Sequence, residues 1–172
     1  MKLTYAGIVS LDGYINDEQG QFDWSAPDEE VHAHVNERAR EVGTYILGRR
    51  MYEVLKVWDT LDEPEPVMQD YAAIWRATNK IVVSTTLTEL RAPKTLLMGQ
   101  LDLTGLDGTV SIGGATLAAQ AIDQVDEFEL YLNPVIVGGG TRFFPDDFTR
   151  ELRLDEQKTF TNGVVYLRYS AA

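Results

Sequence analysis

Short apolar runs alternate with longer polar segments of helical spacing along most of the chain. Lys2 to Val9 alternates loosely and holds enough apolar residues for a central strand. Thr44 to Leu47, Lys80 to Val83, Thr95 to Met98 and Thr109 to Ile112 are compact runs of strand length. Between them, Ser25 as N-cap, Pro27 in the first turn and Asp28 as capping-box partner open a helix that runs to about Val42. Val31, Val35, Ala39 and Val42 share one face of it, and Gly43 ends it. Val67 to Thr78 and Ala115 to Ile122 form two further helices, and Glu127 to Leu132 is strand-like. Leu152 to Thr159 and Val164 to Tyr169 form two strands joined by Asn162-Gly163, a hairpin signal.

Strands that alternate with helices predict an α/β fold: a mostly parallel central sheet flanked by helices, with an antiparallel hairpin at the C-terminal end. Ligands in such sheets bind beyond the carboxyl ends of the strands. Three expected strand ends carry suitable groups: Gly48-Arg49-Arg50, Ser84-Thr85-Thr86 and Gly113-Gly114-Ala115-Thr116. The two glycines let the backbone turn sharply and approach a ligand, and the following segment aims unpaired N–H groups at it. Adjacent arginines bind phosphate through a planar fork, unless one of them pairs with a carboxylate such as Glu53. This inventory suits a phosphorylated nucleotide. The usual dinucleotide fingerprint is missing from the first strand-helix turn, and no P-loop lysine is present.

Composition narrows the choice. The 172 residues suit one domain, 1–172, with a substantial core. A formal net charge of −12 argues against general nucleic-acid binding, which demands a basic surface. No apolar run is long enough to span a membrane and no signal peptide opens the chain, so a cytoplasmic protein is expected. Cysteine is absent, which removes disulfides, thiolate metal sites and cysteine nucleophiles. His32 and His34 lie two apart and point to different sides of a helix, so they cannot share a metal; a solvated helix surface is the expectation, and no metal is expected. Asp12 precedes Gly13 and reads as a turn residue.

The same stretches resemble the dihydrofolate reductase-like superfamily, and within it the reductase domain of the riboflavin-biosynthesis deaminase-reductase. The resemblance is carried in order by Ser10-Leu11-Asp12-Gly13-Tyr14-Ile15, Gly48-Arg49-Arg50-Met51-Tyr52-Glu53, Ile81-Val82-Val83-Ser84, Ile112-Gly113-Gly114-Ala115 and Pro134-Val135-Ile136-Val137-Gly138-Gly139-Gly140-Thr141-Arg142-Phe143. It implies a three-layer fold with NADPH as hydride donor. It places the 2′-phosphate side at Gly48, Arg49, Arg50, Ser84 and Thr85, and the pyrophosphate at Gly113, Gly114, Ala115 and Thr116. Ile8 and Ile15 match positions that flank the nicotinamide. Met51 stands where dihydrofolate reductases commonly carry a threonine, and a thioether is only a weak acceptor.

Reducing a heterocyclic C=N bond needs a proton as well as a hydride. The resemblance puts the family's carboxylate at Glu29, whereas helical periodicity favours Asp28, which lies nearer the valine stripe. The leading expectation is an NADPH-dependent reductase of a pyrimidine- or pteridine-like substrate, similar to 5-amino-6-(5-phosphoribosylamino)uracil reductase of riboflavin biosynthesis. The alternatives are a true dihydrofolate reductase and a non-catalytic NADP-binding protein. A homodimer is also expected, with Tyr131, Tyr166 and Tyr169 as interface candidates.

Overall fold

The computed structural model describes residues 1–88, 90 and 92–172. Eight strands form one sheet: β1 (Lys2–Ser10), β3 (Thr44–Gly48), β4 (Asn79–Val83), β5 (Thr95–Met98), β6 (Thr109–Gly113), β7 (Glu127–Asn133), β9 (Leu152–Thr159) and β10 (Val165–Ala171). Their order is β5-β4-β3-β6-β1-β7-β10-β9. Every pairing from β5 through β7 is parallel, and β10 runs antiparallel to both β7 and β9. A separate two-stranded sheet joins β2 (Tyr14–Asn16) to β8 (Thr141–Arg142).

Alternation along the strands sends side chains to two covering layers. On one face, Leu3, Tyr5, Val9, Ile46, Val110, Ile112 and Phe128 meet Leu117, Ala118, Ala121 and Ile122. These last residues belong to α4 (Ala115–Ala118) and the 3₁₀ turns of Ala119–Gln124. The expected helix over Ala115–Ile122 is therefore a single α-turn followed by a kink, with Ala121 at φ −126°. So short a segment adds up little macrodipole, and what the corner at Gly114 offers is its individual N–H groups.

The other face is covered by α1 (Glu29–Ala39), α2 (Arg49–Leu55) and α3 (Pro66–Ala77). Leu47 and Val82 pack with Tyr52 of α2 and Trp75 of α3, while Tyr131 and Tyr166 pack with Val31 of α1. Helix α1 starts later than its sequence signals suggest. Ser25 ends a 3₁₀ turn over Asp23–Ser25, and Asp28 is the N-cap, its Oδ1 accepting from the Val31 N–H at 2.9 Å. The regular helix ends at Ala39, and Val42 closes on Ala39 through a tighter bond.

Two further expectations are corrected. His32 and His34 are buried, not solvated. Residues two apart on a helix point about 200° apart, and α1 is covered on both of those sides. His32 lies edge-on to Trp58 and Tyr71, and His34 meets Tyr131, Phe160 and Tyr166. Tyr131 and Tyr166 are likewise core residues, 4% and 0% exposed, and offer no surface to a second subunit. Tyr169 is half-buried against the opposite core.

Buried charge locks α1 to the sheet. The Arg38 guanidinium donates to both carboxylate oxygens of Glu129, at 2.9 and 3.2 Å. Tyr166 donates to the same carboxylate at 2.7 Å. Lys2 and Arg168 flank the neighbouring Glu127 at 2.8 and 3.2 Å.

Candidate functional site

The strand ends singled out by sequence become neighbours because β4, β3 and β6 are adjacent and parallel. Gly48 pairs with Val83, so Ser84 leaves the sheet beside Gly48; Leu47 pairs with Gly113, which brings the double-glycine corner to the same level. This edge of the sheet thus gathers all three turns.

The two glycine turns touch through their backbones. A Cβ on Gly114 would stand 3.8 Å from the Gly48 N and 3.7 Å from the Met51 Cβ, and its φ of +94° strains any side chain. A Cβ on Gly113 would meet the Leu47 Cδ2 at 2.8 Å. Met51 therefore serves as packing against the corner rather than as a polar contact. The N–H groups of Ala115 and Thr116, in the first turn of α4, have no intrahelical acceptor.

Arg49 and Arg50 are both exposed at the start of α2. Arg49 is held on two sides: Nε donates to Glu53 at 2.8 Å and a terminal nitrogen to the Thr86 hydroxyl at 2.8 Å. The arginine-carboxylate pairing foreseen for one of the two thus falls on Arg49. Arg50 makes no side-chain hydrogen bond to the described residues. Ser84 organises its own turn, its hydroxyl accepting from the N–H groups of Thr86 and Leu87 at 3.2 and 3.1 Å. Thr86 belonged to the expected Ser84–Thr86 turn but was not among the residues assigned to the 2′-phosphate side. It was legible only as one more hydroxyl in the turn, and it takes its place through contact with Arg49.

The glycine-rich loop after β7 is fastened to the loop between β1 and β2. Asp12 accepts from the Val137 and Gly138 N–H groups at 3.2 and 2.8 Å. Hydrogen bonds from the Ser10 hydroxyl, Gly138 and Val137 hold the Asp12 carboxyl below its usual range. Asp12 is thus more than a turn residue, and it joins two loops 125 residues apart in sequence. Gly140, at φ +128°, passes so close to the Asn16 carbonyl that no side chain fits. Asn16 also accepts from the Thr141 N–H at 3.1 Å, and Phe143 stacks on Tyr5 with centroids 4.0 Å apart.

These contacts set Thr141–Asp146 opposite Ala115, Thr116 and Ala119 across a cleft of about 300 Å³. A second depression, of about 460 Å³, lies against Met1, Asp102 and Gln124, where the parallel strands begin, and carries none of the candidate residues.

The remaining candidates are dispersed. Ile8 packs with the cluster under α1 and Ile15 with the cluster on the other face, so the two do not share one pocket wall. Asp28 is the α1 cap, and Glu29 is exposed in the first turn. Close by in the chain, the Trp24 indole N–H is shielded from solvent without an acceptor among the described residues. No group of three or more His, Asp or Glu side chains able to hold a metal occurs among the described residues. No described helix is long and apolar enough to cross a membrane.

Known structures share this architecture. A protein of Shewanella sp. PV-4 named for riboflavin biosynthesis superposes with a TM-score of 0.77 at 21% identity, covering 100% of this chain and 99% of that one. The diaminohydroxyphosphoribosylaminopyrimidine deaminase/5-amino-6-(5-phosphoribosylamino)uracil reductase of Thermotoga maritima gives 0.68 at 13% identity, over 99% of this chain and 56% of that one. Dihydrofolate reductase of Enterococcus faecalis, complexed with NADP(H), gives 0.65 at 16% identity, over 99% and 96%. These likenesses make the fold dihydrofolate reductase-like. The model of the RibD C-terminal domain matches residues 1–166, nearly the whole chain, and the protein belongs to that family.

Proposed function

We propose that this protein is an NADPH-dependent oxidoreductase that passes hydride to a pyrimidine- or pteridine-like C=N or C=O group, in the manner of a 5-amino-6-(5-phosphoribosylamino)uracil reductase. The observation that carries the reading is the convergence of Gly48–Arg50, Ser84–Thr86 and Gly113–Thr116 at one edge of the sheet. Family membership supports the reductase class, and the NADP(H) complex of the Enterococcus enzyme supports the choice of nucleotide on this fold. We take residues 1–172 as one reductase-like unit.

The residues fit the dinucleotide. Arg50, with the Arg49–Thr86–Ser84 cluster and Thr85, supplies cationic and hydroxyl donors for a 2′-phosphate. Gly113 and Gly114 leave the backbone bare, so that the Ala115 and Thr116 N–H groups can reach a diphosphate. Ile8 and Ile15 pack on opposite faces of the sheet, so one of them, not both, would provide the apolar wall against the nicotinamide. Bound there, the reduced nicotinamide supplies the hydride. Of the two candidate acids, Asp28 is committed to capping α1, which leaves Glu29 to orient the heterocycle and deliver the proton. A homodimer belongs to the same proposal, on a surface that excludes Tyr131 and Tyr166; sedimentation as a pure monomer at micromolar concentration would end that part of it.

The test is thermal unfolding of the protein alone, with NADPH and with NADH. A ligand at 100 times its dissociation constant adds about 2.7 kcal/mol, or about 5–10 °C for a domain of this size. A rise of that order with NADPH and little with NADH is expected. No shift at millimolar NADPH would refute the cofactor assignment. The reductase step is then read as oxidation of NADPH in the presence of pyrimidine and pteridine acceptors, with no oxidation in a broad screen favouring a binding protein.

A further inference from the structure

Arg142 faces the cleft at Ala115 and Thr116 with its donors unspent. It lies on β8, directly opposite Tyr14 on β2, and its guanidinium carbon sits 5.0 Å from the centre of the Tyr14 ring. Contact with an aromatic face steadies the planar group and leaves its in-plane N–H groups free. The nearest carboxylate is Asp146 at 3.3 Å, in a pair whose side chains are 54% and 83% exposed. No Arg142 N–H forms a hydrogen bond with a described residue. Such a pair contributes little to stability, so Arg142 is held in position without being consumed there.

The placement is built by neighbours that tolerate little change. Gly140 packs against the Asn16 carbonyl, Asn16 anchors the Thr141 N–H, and the Phe143 N–H donates to the Gly13 carbonyl at 2.9 Å. The strand carrying Arg142 is thereby pinned to the loop after β1. Across the cleft stand Ala115, Thr116 and Ala119, with no charge of their own, and Arg142 is the one cationic side chain among the described lining residues. In a chain of net charge −12, an anion entering this cleft finds its local attraction there.

We propose that Arg142 clamps the diphosphate bridge of the dinucleotide from the wall opposite the Ala115–Thr116 N–H groups, with Asp146 as its resting partner and competitor. The inference rests on the cofactor reading above. A diphosphate presents paired oxygens that match the guanidinium fork. Asp146 lines the same cleft and repels an anion, so binding transfers Arg142 from Asp146 to the phosphate oxygens. The diphosphate is common to NADPH and NADH, whereas the 2′-phosphate is not, and this separates Arg142 from Arg49 and Arg50.

Calorimetric titration of the full chain and its variants with NADPH, NADH and ADP tests the clamp. Arg142→Gln is expected to raise all three dissociation constants by a similar factor of at least about tenfold, with the ligand-free unfolding midpoint within about 2 °C of the parent. Arg142→Lys should recover part of the loss, keeping the charge without the fork. Asp146→Asn should tighten all three ligands. Wild-type binding that is unchanged in Arg142→Gln, or weakened for NADPH alone, would overturn the clamp while leaving the cofactor reading intact. A wild-type chain that binds neither dinucleotide would overturn both.

Discussion

The Arg49 guanidinium reaches from the start of α2 to the Thr86 hydroxyl, 2.8 Å away, and ties the chain leaving β3 to the chain leaving β4. The Glu53 carboxylate holds the same side chain from behind at 2.8 Å. A flexible cation is thus aimed along the sheet edge, next to the exposed Arg50. Charge-assisted hydrogen bonds of this kind contribute about 1.5–3 kcal/mol each when a ligand completes them. Replacing Arg49 or Arg50 with alanine should weaken NADPH at least about tenfold relative to NADH, as read by titration. Equal losses for the two nucleotides would remove the 2′-phosphate from this cluster.

The two acids at the head of α1 are separable by experiment. Asp28 accepts the Val31 N–H, so Asp28→Ala should cost about 1 kcal/mol through loss of the cap, seen as a midpoint lowered by about 2–4 °C. Glu29 is exposed and bears no such load. Glu29→Gln should leave both the midpoint and NADPH affinity unchanged and lower kcat by about a hundredfold. Full activity in Glu29→Gln would transfer the proton to another donor.

His34 makes stability depend on pH. Its Nδ1 lies 2.9 Å from the Tyr131 hydroxyl, and burial, with Lys158 and Arg38 nearby, lowers its pKa despite the opposing Glu37 and Glu156. The folded state binds the proton less readily than the unfolded chain. The stabilisation is therefore complete above the ordinary value of 6.5 and is lost as pH falls through that value towards the lowered one. Unfolding midpoints measured from pH 8 to pH 5 should fall more steeply for the parent than for His34→Gln. Parallel slopes would show that the ring titrates as freely in the folded protein as outside it.

Glu129 is the keystone of the charge cluster beneath α1. Its carboxylate takes two bonds from Arg38 and one from Tyr166. Glu129→Ala leaves a largely buried guanidinium short of a partner, which should cost about 3 kcal/mol and lower the midpoint by about 6–12 °C. A loss under about 1 kcal/mol would mean that Glu127, 3.5 Å from Arg38, takes over the charge.

Most strands were legible because each one repeats a local rule. The apolar runs Lys80–Val83 and Thr109–Ile112 are too short and too β-branched for helices, and Asn162-Gly163 demands a turn between β9 and β10. The turns at Gly48–Arg50, Ser84–Thr86 and Gly113–Thr116 were legible for the same reason, since glycine, arginine and serine advertise their backbone freedom or their donors locally. The helix boundaries were less so. Ser25 and Asp28 both carry N-cap chemistry; Ser25 is taken up in the 3₁₀ turn over Asp23–Ser25, and Asp28 accepts from the Val31 N–H as the cap. Ala115 to Ile122 has good helix formers, yet Ala121 and Ile122 turn into the core and break the helix after one turn.

What lay outside the sequence were the relations across distance. His32 and His34 look like surface residues in a polar stretch, and only a helix enclosed between the sheet and α3 buries both. Asp12 looks like a turn residue until the loop at Val137–Gly138 arrives to donate to it, and Arg142 is one arginine among many until β8 pairs with β2 and carries it to the cleft. By itself the sequence determined the alternation of strands and helices, the glycine corners and the stock of arginine and hydroxyl donors at the strand ends, because periodicity and backbone freedom act over a few residues. Only the tertiary structure decided which of those groups meet, because strand order, helix sandwiching and loop pairing are settled by burial shared between segments more than a hundred residues apart.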